Sequence, residues 1–337
     1  MGAALTAPVF EDSCKLVHKG CAYVNSGLLA RGDAYNPQQL WLTFPQLKPL
    51  YHEYERDYDP EPVLNFMKRN DYVLPVGAVV LYVLFLVFGT RFMKTRSAFP
   101  LKSAFAYWNL FLSVFSFYGV TRTVPHLLYR IATEDFEDTV CKSAHVGYGG
   151  GTAGLAVQIF ILSKIPELLD TVFLILLKKE VIFLHWYHHI TVLLYCWNSY
   201  VTESGAGLWF VAMNYSVHSI MYFYFYLQTT GQAPKWLTKH AYMITVFQIL
   251  QMLMGTSIVL ACVYFNYAGL SKGPYTYKYS KGDKCSNTDS NLLAGGVMYA
   301  SYLFLFVAFA FRRFVLGKED FKQAKPKAGA VADKKTK

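Results

Sequence analysis

Three imidazoles fall within five residues, at His185, His188 and His189. Offsets of zero, three and four align them along one face of a helix. Such a face has two chemical uses. It can bind zinc or iron, or supply a nucleophile and a general acid or base. Upstream, Lys164, Glu167, Asp170 and Thr171 recur at offsets of three and four and also share a face. They read either as an ion-pair ladder between packed helices or as the polar wall of a site. Downstream, Asn214, His218, Met221 and Tyr222 form a third stripe, and Thr245, Gln248 and Gln251, spaced three apart, form a fourth. Any one stripe fits ordinary interhelical hydrogen bonding. Four in succession argue for a shared interior cavity.

The elements that carry these stripes are apolar. Of 337 residues, 54% are hydrophobic and 17% aromatic, and only 16% are charged, against about 25% charged in a soluble domain. Asp71 to Arg91 and Lys102 to Arg122 each enclose nineteen uncharged residues, Glu203 to Lys235 thirty-one, and Lys239 to Lys272 thirty-two. About 20 apolar residues cross the hydrocarbon core as a helix, and lipid offers no partner to an unpaired backbone. The expectation is an all-α polytopic membrane protein with seven spans near 72–90, 103–121, 152–177, 181–202, 206–228, 240–266 and 292–311. Charges at a span centre cost about 2.5–3.5 kcal/mol each. The three in the third span would approach 10 kcal/mol unless they pair or meet water.

Residues 1–70 lack an apolar signal-peptide core and read as a luminal, partly ordered cap. Residues 71–316 form the membrane domain, and 317–337 a basic tail. Loop cations Arg91, Lys94, Arg96, Lys102, Lys178, Lys179, Lys235 and Lys239, with Arg312, Arg313 and the tail lysines, fall on one side. The positive-inside rule makes that side cytosolic and the N-terminus luminal. Lys272, Lys278, Lys281 and Lys284 dissent. The net charge of +10 fits topology and anionic lipid or an anionic CoA ester, not nucleic acid. Lys334-Lys335-Thr336-Lys337 has the form of a dilysine retrieval signal for the endoplasmic reticulum, or of a plain lysine tail. Cys141 and Cys285 fall in two predicted luminal loops, where they are either joined by an oxidising compartment or free.

Histidine counting weighs on the metal alternative. A membrane di-iron enzyme calls for about eight histidines in three boxes, whereas of nine here only His185, His188, His189 and His218 lie in the stripes. Cys196, eight residues past His188, is a rival nucleophile by type. Eight residues advance a helix by about 12 Å, so it is expected in the core.

The four stripes together resemble the ELO family of very-long-chain 3-ketoacyl-CoA synthases. Lys164, Glu167, Asp170 and Thr171 match K-x-x-E-x-x-D-T. His185, His188 and His189 match H-x-x-H-H. Asn214, His218, Met221, Tyr222 and Tyr224 match N-x-x-x-H-x-x-M-Y-x-Y-Y, with Phe225 in place of the last tyrosine. Thr245, Gln248 and Gln251 match T-x-x-Q-x-x-Q. The resemblance covers roughly residues 70–315. It implies seven helices, six of them in an inverted barrel around an acyl tunnel closed toward the lumen, and a Cys141–Cys285 disulfide.

The implied reaction condenses acyl-CoA with malonyl-CoA to 3-ketoacyl-CoA, CO2 and CoA through an acyl-imidazole on His188. His218 would stabilise the oxyanion, while His185, His189, Asn214, Glu167, Asp170 and Lys164 set tautomers and proton inventory. Thr171, Tyr187, Met221, Tyr222, Tyr224, Thr245, Gln248 and Gln251 would contact substrate, with Lys235 and Lys239 at the CoA mouth. No metal and no cofactor beyond the two CoA substrates is implied. The expected partners are membrane lipid, the reductases and dehydratase of the elongation cycle, and a second copy of the chain. The box and its flank resemble the branch acting on saturated and monounsaturated chains. The alternatives are a metal-dependent desaturase or hydroxylase and a seven-span transporter.

Overall fold

The computed structural model describes residues 39–268 and 285–315. The lysine tail, Lys272, Lys278, Lys281, Lys284, Cys14 and Cys21 lie outside them. All regular structure among the described residues is helical. After three short turns between Leu40 and Arg56 come α1 (Glu61–Arg69), α2 (Val73–Met93) and α3 (Lys102–Thr133). They are followed by α4 (Gly151–Ser163), α5 (Leu169–Leu176), α6 (Phe183–Val201), α7 (Gly207–Thr230), α8 (Tyr242–Ala268) and α9 (Asp289–Ala310).

Among the described residues, three helices are by themselves long and apolar enough to cross a bilayer: Val73–Met93, Tyr242–Tyr267 and Asp289–Phe314. The other stretches expected to span are helical, and all but that near 103–121 carry polar stripes. Two of them depart from the expected bounds. α3 runs on past residue 121 to Thr133, because its cations are neutralised. Arg122 meets the fully buried Glu55 at 2.8 Å and 3.0 Å, and Arg130 meets Glu134 at 2.9 Å and the Asp138 carbonyl at 2.8 Å. The expected third span is two helices, α4 and α5, separated by a 3-10 turn at Pro166–Leu168. Pro166 has no N–H, and its ring clashes with the carbonyl four residues back.

Packing follows small residues. α7 lies along α3, and a Cβ on Gly119 would sit 2.2 Å from the Tyr215 ring. Only glycine admits that approach. Tyr215 then reaches α4, where its hydroxyl donates to the Ala156 carbonyl at 2.9 Å. α7 also packs on α8, α8 on α9, α9 on α6, α6 on α4, and α4 on α3, while α2 packs on α5 and α6. Trp197, Leu208, Met67 and Tyr215 fill the main core. At one end of the bundle a disulfide joins Cys141 to Cys285. Residues 39–70 pack against that end: Met67 is fully buried, and the Gly151 N–H donates to the Tyr58 carbonyl at 3.0 Å.

Candidate active site

The site is built around the dipeptide Asp170-Thr171 at the start of α5, on which four other helices converge. The Trp108 indole of α3 donates to one Asp170 oxygen at 2.6 Å, and the Tyr222 hydroxyl of α7 donates to the other at 2.8 Å. The Thr171 hydroxyl bonds Tyr82 of α2 at 2.8 Å and the His185 Nε2 of α6 at 2.9 Å. His189 Nε2 lies 4.0 Å from Asp170. The 3-10 turn at Pro166–Leu168 sits immediately before the helix that carries this dipeptide.

Lys164 and Glu167, at the break itself, satisfy each other. The ammonium meets both Glu167 oxygens at 2.7 Å and 2.9 Å, the Ser163 hydroxyl adds 2.7 Å, and the ammonium lies 3.9 Å from the Phe160 ring centroid. Both residues are buried. Asp170 therefore takes its partners from an indole and a phenol, not from Lys164.

The three box histidines occupy different environments. His185 is held by Thr171, and its ring lies 4.5 Å from that of His189, which is buried. His188 is half-buried. Its backbone carbonyl accepts from the Tyr302 hydroxyl of α9 at 3.1 Å, and its ring packs 5.1 Å from the Tyr302 ring. Among the described residues, no protein group is hydrogen-bonded to either of its ring nitrogens. Tyr302 is itself fixed by Thr191 at 2.5 Å. On α7, Asn214 bonds the His218 Nε2 at 3.2 Å, and the His218 ring packs edge-on against Tyr222 at 5.3 Å. The Asn214 side chain is buried, and its Oδ1 has no partner among the described residues.

Beside this polar layer lies a small, partly open pocket of about 50 Å3. Asn214 and Val192 line one part of it, and Tyr148, Tyr200 and Gly207 another. From Asn214 to Gly207 the wall descends seven residues of helix, about 10 Å. The lining between is almost wholly aliphatic and aromatic, from α4, α6, α7 and α9. Cys196 is on this wall, half-buried and packed against the main core.

The remaining expected residues are more dispersed. Gln248 donates to the Met221 sulfur at 3.3 Å, and Thr245 and Gln251 are buried on α8. Tyr187 stacks on Phe183 at 5.3 Å and bonds Ser301 at 3.0 Å. Tyr224 is half-buried, and Phe225 is exposed. Lys235 and Lys239 are exposed on the short helix that follows Gly231 and touch none of the polar layer. Tyr82, Trp108, Thr191 and Tyr302 join the polar layer without belonging to any of the four stripes. An aromatic ring with a polar tip gives no periodic signal in an apolar span, since its partner is fixed only by packing.

The chain matches the ELO family model, described as the GNS1/SUR4 family, over residues 67–322. The chain belongs to the ELO family. It is 36% identical over 307 residues to Fatty acid elongase 3 of Trypanosoma brucei brucei, covering 85% of this chain and 97% of that one. It is 37% identical over 264 residues to Very long chain fatty acid elongase 6 of Rattus norvegicus, covering 78% and 92%. It is 42% identical over 260 residues to Very long chain fatty acid elongase 4 of Trypanosoma cruzi, covering 76% and 84%. This ELO protein is a multi-pass membrane enzyme, the condensing 3-ketoacyl-CoA synthase of fatty-acid elongation. The desaturase and transporter alternatives give way to that membership.

Proposed function

We propose that this elongase works by a two-stage exchange through an acyl-imidazole on His188. A neutral ring nitrogen attacks the acyl thioester carbonyl, the C–S bond breaks, and the proton on the other ring nitrogen passes to the departing thiolate, so that CoA leaves as the thiol. Malonyl-CoA then loses CO2, and the carbanion attacks the acyl carbon. The C–N bond breaks, its electron pair returns to His188, which takes up a proton from solvent, and 3-ketoacyl-CoA departs. The observation that carries this is the contrast within the box. His185 is tied to Thr171 and His189 is buried, whereas His188 is half-buried, its ring nitrogens accept or donate no hydrogen bond among the described residues, and Tyr302 holds it by its backbone carbonyl and by ring packing. A lone pair that is not already engaged is what a nucleophile requires. His218, oriented by Asn214, would donate to the developing oxyanion.

The same reading makes the cavity the acyl site and favours saturated or monounsaturated chains. It takes the helical stretches as seven spans in the endoplasmic-reticulum membrane. Six packed elements form an inverted barrel, with the Cys141–Cys285 end toward the lumen. Lys235 and Lys239 would meet the CoA moiety at the cytosolic mouth. The other enzymes of the cycle would act on the released product, and a second copy of the chain would pair through faces outside the polar layer. The contact sequence around α3, α7, α8, α9, α6 and α4 supports the ring. Intact mass spectrometry after mixing with a saturated C16 acyl-CoA alone is the test. An acyl adduct absent in His188→Ala, and discharged by malonyl-CoA, is expected. Product formed by the mutant at the wild-type rate would overturn the assignment.

A further inference from the structure

One end of the cavity is backed by a part of the chain that precedes the family match, which begins at residue 67. Tyr58, in the turn before α1, donates its hydroxyl to the Gln158 Oε1 of α4. Gln158 is buried and donates from its other amide atom to the Tyr200 hydroxyl at 2.7 Å and to the Pro60 carbonyl at 3.4 Å. Tyr200 lines the cavity. The neighbouring wall residue, Tyr148, donates to the Ser204 carbonyl at 2.5 Å. A Cβ on Gly207 would fall 2.1 Å from the Tyr148 hydroxyl, so the phenol fills the space that glycine leaves.

We infer that Tyr58, acting through Gln158 and Tyr200, sets the longest acyl chain this elongase accepts. Tyr58 is a specificity-determining residue supplied by the segment before α1. The links from Tyr58 to Gln158 and from Gln158 to Tyr200 are partly buried hydrogen bonds, and the loss of either leaves a polar group wanting a partner. The amide of Gln158 is used on both sides, by Tyr58 and Pro60 from the segment and by Tyr200 from α6. With Tyr58 in place, the Tyr200 ring is held in one position against the cavity. Without it, Gln158 and Tyr200 turn away and the terminal methyl end of a chain gains room. A second tie keeps the segment seated, because Glu203, beyond the end of α6, pairs with both Lys68 of α1 and His145.

The inference rests on the cavity's being the acyl site, and the test separates the two. Purified full-length enzyme is given malonyl-CoA and a ladder of saturated acyl-CoA primers, and turnover is recorded against chain length. Tyr58→Phe and Tyr200→Phe each keep the ring and remove one hydroxyl. Each should raise relative turnover of the first poorly used primer about fivefold, equivalent to about 1 kcal/mol at 1.4 kcal/mol per decade. The double variant should go no further than either single one, and Tyr54→Phe, an exposed tyrosine of the same segment, should leave the profile unchanged. Should Tyr58→Phe fail to fold, Gln158→Met breaks the same relay from its centre and carries the test. A shift in Tyr200→Phe alone would overturn the role of the segment, and a shift in neither would overturn the relay. A wild-type enzyme that turns over every primer equally would overturn the acyl reading of the cavity, and this inference with it.

Discussion

Removing one member of the Lys164–Glu167 pair tests whether the charged turn is scaffold or chemistry. Lys164→Met deletes two charge-assisted contacts, at 2.7 Å and 2.9 Å, and leaves a buried carboxylate with only the Ser163 hydroxyl. Charge-assisted bonds contribute about 1.5–3 kcal/mol each, so the loss is about 3–6 kcal/mol. Breaking a buried pair costs about 3–5 kcal/mol by an independent route, and the two ranges agree. Glu167→Gln retains one carbonyl acceptor, and the ammonium keeps the Phe160 ring 3.9 Å away. Its cost should be about half as large. The double variant Lys164→Met/Glu167→Leu buries no charge and should return to within about 1 kcal/mol of wild type, because apolar replacement of a buried pair is often neutral. The assay is reversible unfolding in mixed micelles followed by tryptophan fluorescence, closed as a double-mutant cycle with turnover measured in parallel. Single variants within about 1 kcal/mol of wild type would refute the reasoning. A double variant that is stable but inactive would show that the pair acts in the reaction as well as in the fold.

Four further outcomes are expected. Tyr222→Phe removes one of the two donors to Asp170 and should lower kcat about tenfold, the equivalent of one hydrogen bond of about 1.4 kcal/mol. Asn214→Leu frees the His218 ring and should reduce kcat about tenfold with the KM for acyl-CoA unchanged, as steady-state kinetics would reveal. Replacing Cys141 and Cys285 by alanine opens a loop of 144 residues and should cost at most about 5 kcal/mol by chain entropy, read as a lower unfolding midpoint with turnover retained. Burial pushes the Glu203 carboxyl up, but hydrogen bonds and charge from His145 and Lys68 outweigh it and hold it below the ordinary range. A carboxyl depressed on folding stabilises above its unfolded pKa of about 4.3 and loses that contribution as pH falls through its folded value. Unfolding midpoints should therefore drop between about pH 5 and pH 3, and Glu203→Gln should flatten that drop.

The motif residues were legible because a charge or an imidazole in an apolar run has no bland explanation, and helical spacing assigns it a face. Lys164 with Glu167 illustrates the strength of that signal, since partners three residues apart can be read from one strand of text. Asp170 illustrates its limit. Its partners, Trp108 and Tyr222, are 62 and 52 residues away, and nothing local distinguishes Trp108 from other aromatics of α3. The end of α3 was misjudged for the same reason: Arg122 marks a boundary in sequence, yet Glu55, 67 residues earlier, removes its charge. Pro166 was visible, but a proline inside a membrane helix can kink or break it, and only packing decides which.

The interrupted segment of α4 and α5 also bears on how the protein is assembled. Three ionisable side chains within seven residues oppose its transfer into lipid by about 2.5–3.5 kcal/mol each. Lys164 and Glu167 can neutralise each other as soon as the turn forms, and Trp108 of α3 precedes Asp170, but Tyr222, the second donor to Asp170, is synthesised 52 residues later. The segment therefore gains its full set of partners only once α7 has been made, and its final seating in the bilayer is expected to follow, not precede, the synthesis of that helix.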